Sequence, residues 1–281
     1  MTVAVGLVQR APIDPWRPCP RGIYDDGVVR VRSGADVAMR VWRDDDGRLV
    51  VDHDLRPAQL DDEIGPPLAA ALAQQTDDHE VFARAFTGVV LTSRPRAEQA
   101  WELFYRNSLA RIRHPRHLGY AAVYRHALDL LPRSTVLDLG ASFGFLSLHL
   151  AATGRRVSAW EPDPGTAELL RRTSARLRLP VEVLASDRSL RTVSTASVEG
   201  VALLHVLEHL DDAAGVDLFD EAVRIARRRV VVAVPYEPTA TALFGHVRTF
   251  VRADLLALGL RSGRPFEVHD DHGGWLVIDS Y

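Results

Sequence analysis

Val136-Leu137-Asp138-Leu139-Gly140-Ala141-Ser142-Phe143-Gly144-Phe145 is the stretch from which the fold can be read. A short apolar run ends in Asp-x-Gly-x-Ser-x-Gly, and an apolar periodic segment continues to Leu150. The pattern predicts a buried parallel strand, a tight turn and a helix. Gly140 lets the chain turn where the strand ends. Gly144, with no Cβ, lets the helix start lie close to the strand or to a ligand. In open α/β sheets such a turn, at the carboxyl end of a strand, is where nucleotide-like ligands bind. Ser142 carries a Cβ and is therefore expected in an ordinary φ region.

Moving outward, Arg156–Trp160 reads as a second strand ending at Glu161, which lies 21 residues past Gly140. That is close to the spacing at which an acidic side chain reaches ribose hydroxyls. Val181–Ala185 reads as a third strand, Gly200–Leu204 as a fourth and Arg229–Val234 as a fifth, continuously apolar from Val230. A run of that kind suits a strand buried on both faces. Strands alternating with helical patterns predict an α/β fold with a mainly parallel sheet. A short helix is expected at Arg252–Leu258, stopped by Gly259, then strands Phe266–His269 and Trp275–Asp279 around a turn at Asp270–Gly274.

A dinucleotide fingerprint counted from Gly140 needs glycines at 142 and 145, where the chain has Ser142 and Phe145. A nucleotide-dependent oxidoreductase is therefore disfavoured. Asp-x-Gly-x-(small)-x-Gly instead resembles the first motif of class I S-adenosylmethionine-dependent methyltransferases. The resemblance implies a Rossmann-like, mainly parallel seven-stranded sheet closed by an antiparallel hairpin, with S-adenosylmethionine as donor. It places Asp138, Gly140, Ser142, Gly144 and Glu161 around that ligand, and Asp187 near the adenine amino group. His205 would line the same pocket, at the start of the Leu207-Glu208-His209-Leu210 segment that resembles a signature following the fourth strand.

The 281 residues suffice for one large domain or a domain with an extension, and 47% apolar residues allow a sizeable core. A net charge of −3 gives no nucleic-acid footprint. No apolar run reaches membrane-spanning length, and Met1–Arg10 lacks the charged start of a signal peptide. The single cysteine, Cys19, excludes an intrachain disulfide and suits a reducing cytoplasm. Arg227-Arg228-Arg229 is read as structural, complementing a helix C-terminus.

Residues 1–22 read as an irregular arm. Val37–Trp42 and Leu49–Val51, around Asp44-Asp45-Asp46-Gly47, carry a hairpin signal. Helices are expected over Leu55–Gln75 (interrupted at Gly65-Pro66-Pro67), His79–Val90, Ala97–Arg113 and Gly119–Leu131. A boundary is placed near 114–118. It divides an N-terminal α+β extension, 1–117, serving acceptor recognition or as a lid, from a catalytic domain, 118–281.

Methyl transfer to an alcohol needs help in removing the hydroxyl proton. His205, Glu208, His209 and His246 are the candidates. His205, Glu208 and His209 are spaced i, i+3, i+4 and would share a face if helical. They would brace the pocket, supply a base, or, with a distant His, hold a divalent cation softer than magnesium. His246, with His209, is taken as catalytic, and no metal site is predicted. Arg248 would hold an acceptor or sit in a surface salt bridge. His269-Asp270-Asp271-His272 reads as a turn with solvated charges. Trp160 and Trp275 read as core, and Tyr105-Arg106-Asn107 would cap the site.

A closer resemblance covers most of the chain. Phe86-Thr87-Gly88-Val89-Val90, Tyr105-Arg106-Asn107-Ser108-Leu109, the 137–145 motif, Leu207–Leu210, Gly245-His246-Val247-Arg248-Thr249-Phe250 and His272-Gly273-Gly274-Trp275-Leu276 are similar to the mycofactocin oligosaccharide methyltransferases. This implies O-methylation of a sugar hydroxyl on a small-molecule or glycosylated acceptor, with neither nucleic acid nor membrane as partner. The alternatives are a protein of the same fold acting on another small molecule, or a non-catalytic protein that holds adenosylmethionine.

Overall fold

The structure, a computed structural model, describes residues 12–34, 36–114 and 119–280. The expected boundary at 114–118 lies almost wholly outside these residues, as does the arm before residue 12. The chain begins with a four-stranded sheet: β1 (Ile23–Asp25), β2 (Val29–Ser33), β3 (Met39–Arg43) and β4 (Leu49–His53), in the order β1-β2-β4-β3. β3 and β4 form the expected antiparallel hairpin, while β2 pairs parallel to β4. The sequence reading missed β1 and β2, although Val29-Arg30-Val31-Arg32 alternates with a strand's period of two. Four helices follow: α1 (Gly65–Leu72), α2 (His79–Thr92), α3 (Ala97–Arg113) and α4 (Tyr120–Leu130). The segment from Leu55 to Ile64, expected to be helical, instead contains two single 3-10 turns. Asn107 holds this segment by donating to the Pro57 and Leu60 carbonyls at 2.7 and 2.9 Å.

The second sheet is built from β5 (Thr135–Leu139), α5 (Phe145–Ala152), β6 (Arg156–Trp160), α6 (Pro164–Leu177), β7 (Val181–Val183), β8 (Val198–Leu204), α7 (Asp212–Ile225), β9 (Ala226–Val234), α8 (Arg252–Ser262), β10 (Phe266–Asp270) and β11 (Gly274–Asp279). Its order is β10-β11-β9-β8-β5-β6-β7. β5 to β9 are mutually parallel, and β11 runs antiparallel to both neighbours. This is the expected Rossmann-like seven-stranded sheet. Asp163 and Asp211 start α6 and α7 by accepting from Thr166 N and Ala214 N, which satisfies amides the helices leave unpaired.

Two readings change here. Gly259 does not stop the last helix, which runs on to a left-handed cap at Gly263. Gly259 is small because the Phe266 ring lies where its Cβ would be, 2.3 Å away. Arg227 to Arg229 belong to β9 rather than a helix end, and Arg227 and Arg229 pair with Glu199 and Asp279.

One hydrophobic core runs from the first sheet into the second. It joins Tyr24, Val31, Val89, Trp101 and Phe104 to Phe145, Leu148, Leu169 and Leu170. Phe143, in the turn after β5, stacks on Phe86 at 5.5 Å and meets Phe104 edge-on at 5.5 Å. Tyr105, expected over the site, is fully buried in this cluster. The helices of the extension therefore support the β5–α5 turn from behind.

Candidate functional site

The β5–α5 turn is fastened to the end of β6, with Gly140 N and Ala141 N both donating to the Trp160 carbonyl, at 2.9 and 3.1 Å. Gly140 (φ +70°) has Val206 Cγ2 at 2.8 Å from where a Cβ would sit, and Gly144 (φ +73°) has Leu170 Cδ1 at 2.2 Å. Both positions thus require glycine for conformation and for space. Ser142 departs from expectation: its φ is +49°, in the left-handed region. That conformation costs a non-glycine residue about 1–2 kcal/mol. It aims the Ser142 amide at Glu161, whose Oε2 accepts at 2.7 Å.

Glu161, 8% exposed at the end of β6, also accepts from Asp163 N through Oε1 at 3.0 Å. Burial pushes its carboxyl up, only partly offset by the Asp163 and Ser142 amides. An ionised carboxylate accepts about four hydrogen bonds, so both oxygens retain a lone pair for a ligand. Asp138, on β5 beside it, is 3% exposed and accepts from Ser147 Oγ at 2.7 Å. Burial pushes Asp138 up to about 7; the Ser147 hydroxyl opposes this and the Glu161 charge adds to it. Two buried acidic groups thus stand side by side at the carboxyl ends of adjacent strands. Asp187, in the turn after β7, is exposed, and the protein itself gives it no comparable setting.

A second group lies after β8 and β9, at the same carboxyl edge. His205 follows β8 with φ +53°, and Leu207–His209 forms one 3-10 turn. His205, Glu208 and His209 therefore do not share a helical face. His205 turns towards Tyr120, ring centroids 6.1 Å apart, with Nδ1 3.3 Å from Glu208 Oε1. Glu208 is fully buried, and among the described residues neither carboxylate oxygen has a hydrogen-bond partner. His209 faces His246 edge-on, ring centroids 4.9 Å apart. His246 Nδ1 lies 2.7 Å from Glu237 Oε2, and His209 Nδ1 3.2 Å from the Gly245 carbonyl. Both partners only accept, so each Nδ1 carries a proton, and in the neutral ring Nε2 is the acceptor. Thr241 steadies Glu237 by donating to Oε1 at 2.9 Å.

Glu237 was missed in the sequence, where only its acidic character nine residues before His246 marked it. Tyr120 and Tyr124 were missed too; on α4 they stand among the site's carboxylates. Burial raises both phenols, Tyr120 to about 12, and the charges of Asp62, Glu63, Glu237 and Glu208 add for Tyr120 and those of Asp62 and Asp138 for Tyr124. Arg248 pairs with Asp212 and lies 4.2 Å over the Phe250 ring. Trp275 is core, 1% exposed. His269 belongs to β10 rather than to the turn, and its Nε2 lies 2.8 Å from His126 Nε2 of α4, whereas Asp270, Asp271 and His272 keep solvent-accessible side chains. An open depression of about 710 Å³ lies at the opposite, amino edge of the sheet among Thr135, Arg156, Ser158 and Val198. It is remote from the β5–α5 turn and shares no residue with either group.

Residues 137–234 match the family model described as a methyltransferase domain. Over 91 residues the chain is 32% identical to the ubiquinone biosynthesis O-methyltransferase of Methylocella silvestris, covering 32% of this chain and 36% of that protein. The chain thus matches about a third of that curated relative's length. An O-methyltransferase family protein from Burkholderia thailandensis superposes with a TM-score of 0.55 and 12% identity, covering 80% of this chain and 71% of the other. That coverage exceeds the seven-stranded domain, so the shared fold includes part of the extension. A SAM-dependent methyltransferase from Aquifex aeolicus gives a TM-score of 0.45 and 15% identity over 56% of this chain and 86% of its own.

Proposed function

Taking residues 137–234 as a class I S-adenosylmethionine-dependent methyltransferase domain, we propose that the chain moves the donor's methyl group to a hydroxyl oxygen of a small-molecule or glycosylated acceptor. The donor is a cation and its product is neutral. Asp138 and Glu161 therefore favour the donor over the product, which assists release after transfer. Glu161 receives the ribose hydroxyls on its free lone pairs, and the Gly140–Gly144 turn accommodates the aminocarboxylate. Asp187 serves the adenine, and His205 closes the pocket between donor and acceptor.

The observation that carries the acceptor side is the His246–Glu237 contact of 2.7 Å. It fixes the tautomer and presents Nε2, beside His209, to whatever is brought to the carboxyl edge. Methyl transfer is an in-line displacement on an already activated donor, so alignment and exclusion of water do most of the work. The remaining need is to make the hydroxyl a nucleophile, and His246 and His209 are assigned to that task.

The finer reading is that the acceptor is a glucose hydroxyl of the mycofactocin oligosaccharide. It rests on the resemblance of the segments around Phe86, Tyr105, His246 and Trp275, and assigns residues 1–117 to acceptor recognition in a cytoplasmic enzyme. No helix among the described residues is long and apolar enough to cross a membrane. The test is release of S-adenosylhomocysteine with a panel of glycosylated acceptors. His246→Ala and His209→Ala should lower kcat by about 10²–10⁴ while leaving donor affinity in place. Unchanged turnover in both variants would remove them from the mechanism, and donor binding without transfer to any hydroxyl acceptor would favour a non-catalytic binding protein.

A further inference from the structure

Glu208, His209 and His246 offer ligand atoms that all lie within 4.8 Å of one another. Nδ1 of each imidazole is engaged by Gly245 O or Glu237 Oε2, so in the neutral ring Nε2 is the nitrogen free to accept or to ligate. Glu208 is fully buried, with both oxygens lacking a hydrogen-bond partner among the described residues. His205 comes within 3.3 Å of Glu208 Oε1, an ion-pair distance without hydrogen-bond alignment. A buried carboxylate with no donor is costly, and buried charges are normally paired or coordinate metals. A cation held between Glu208 and the two imidazoles would give the buried carboxylate the partner it lacks among the described residues.

The outer contacts have the same form. Metal-ligating histidines characteristically give their second N–H to a carboxylate or a backbone carbonyl, which fixes the ring and raises its basicity. His246 has the carboxylate and His209 the carbonyl.

We propose that Glu208, His209 and His246 form a site for a divalent first-row transition cation, at which the acceptor hydroxyl is coordinated and made acidic. Two imidazoles and one carboxylate match the Zn2+, Mn2+ and Co2+ class better than Mg2+, which prefers an all-oxygen set. With bonds of about 2.1 Å, ligand atoms stand roughly 3.4 Å apart in a tetrahedral site and roughly 4.2 Å apart when opposed, so atoms within 4.8 Å of one another reach one ion once the side chains rotate inward. Three protein ligands leave positions open for the hydroxyl. This inference rests on the reading that the acceptor hydroxyl meets His209 and His246, and it gives those residues their means of action.

The test uses the full chain after dialysis against a chelator, titrated with Co2+ and followed by its visible ligand-field absorption, and with Mn2+ followed by loss of the free-ion electron paramagnetic resonance signal. One saturable site per chain is expected. Glu208→Gln and His246→Ala should each weaken it by at least about 10-fold, and Glu237→Gln, acting through His246, by about 10-fold. Adenosylmethionine titration of each variant reports folding independently. His209→Ala, at an exposed ring, keeps the test available if Glu208→Gln fails to fold. No saturable binding of either ion, or binding that all these substitutions leave unchanged, would overturn the proposal. Ion binding without donor binding would retain the cation site and sink the methyltransferase reading. Full turnover by metal-free protein would do the reverse.

Discussion

Gly144→Ala tests the β5–α5 turn at its tightest point. Gly144 has φ +73°, and an added Cβ would lie 2.2 Å from Leu170 Cδ1 and 2.6 Å from Cδ2. Leu170 is fully buried on α6, within the core shared with the extension. The left-handed conformation costs an alanine about 1–2 kcal/mol, and overpacking a full core costs about 1–3 kcal/mol more. The sum is about 2–5 kcal/mol. With a urea slope of about 3 kcal/mol/M, the unfolding midpoint falls by about 0.7–1.7 M. Leu170→Ala alone should cost about 2–5 kcal/mol through its cavity. Combined with Gly144→Ala it supplies the missing space, so the two losses should fall short of additive by about 0.5–3 kcal/mol. Urea denaturation of the four proteins in one double-mutant cycle is the assay. A Gly144→Ala stability within about 0.5 kcal/mol of the parent, or strictly additive losses, would refute the argument.

Arg84, 2% exposed, pairs with Asp26 Oδ2 at 2.7 Å beneath β1 and α2; Arg84→Ala should cost about 3–5 kcal/mol in urea unfolding, and a loss below 1 kcal/mol would contradict a buried, paired charge. Asp138, pushed up to about 7, is largely protonated below neutrality, whereas a bound cationic donor favours the carboxylate. Donor affinity should therefore rise with pH up to about 7 and level off above it, with proton release on binding seen by calorimetry in buffers of different ionisation enthalpy. The stability effect has the opposite sense. The folded pKa lies above the unfolded value of about 3.9, so the folded chain holds a proton that the unfolded chain gives up. That contribution is complete below about pH 4 and is lost as pH rises to about 7. Asp138→Asn should flatten both profiles, and unchanged profiles would exclude Asp138 as the titrating group.

Much of this was legible from the chain because the signals are local. A strand, a glycine turn and a helix follow one another within the 136–150 stretch, and the Gly140-to-Glu161 spacing is set by one βαβ unit. The features that escaped depend on contacts across the fold. Ser142 stays left-handed because Glu161, from the next strand, accepts its amide, and no pattern around Ser142 encodes that partner. The i, i+3, i+4 spacing of His205, Glu208 and His209 suggested a helix face. Yet the left-handed His205 and a single 3-10 turn send His205 towards Tyr120 and His209 towards His246. Glu237 lies in an irregular loop with no periodicity to select it. Gly259 has the residue type of a helix stop, but Phe266 packing rather than chain reversal explains it.

The central claim is that the carboxyl edge around Asp138, the Gly140–Gly144 turn and Glu161 receives S-adenosylmethionine. Calorimetric titration of the purified chain with that donor, repeated on Glu161→Ala, tests it most directly. The account predicts one saturable site whose affinity falls by about 10-fold or more in the variant, matching the loss of about 1.5–3 kcal/mol for hydrogen bonds to a charged group. Absence of binding to protein freed of copurified product, or equal affinity in both proteins, would contradict it.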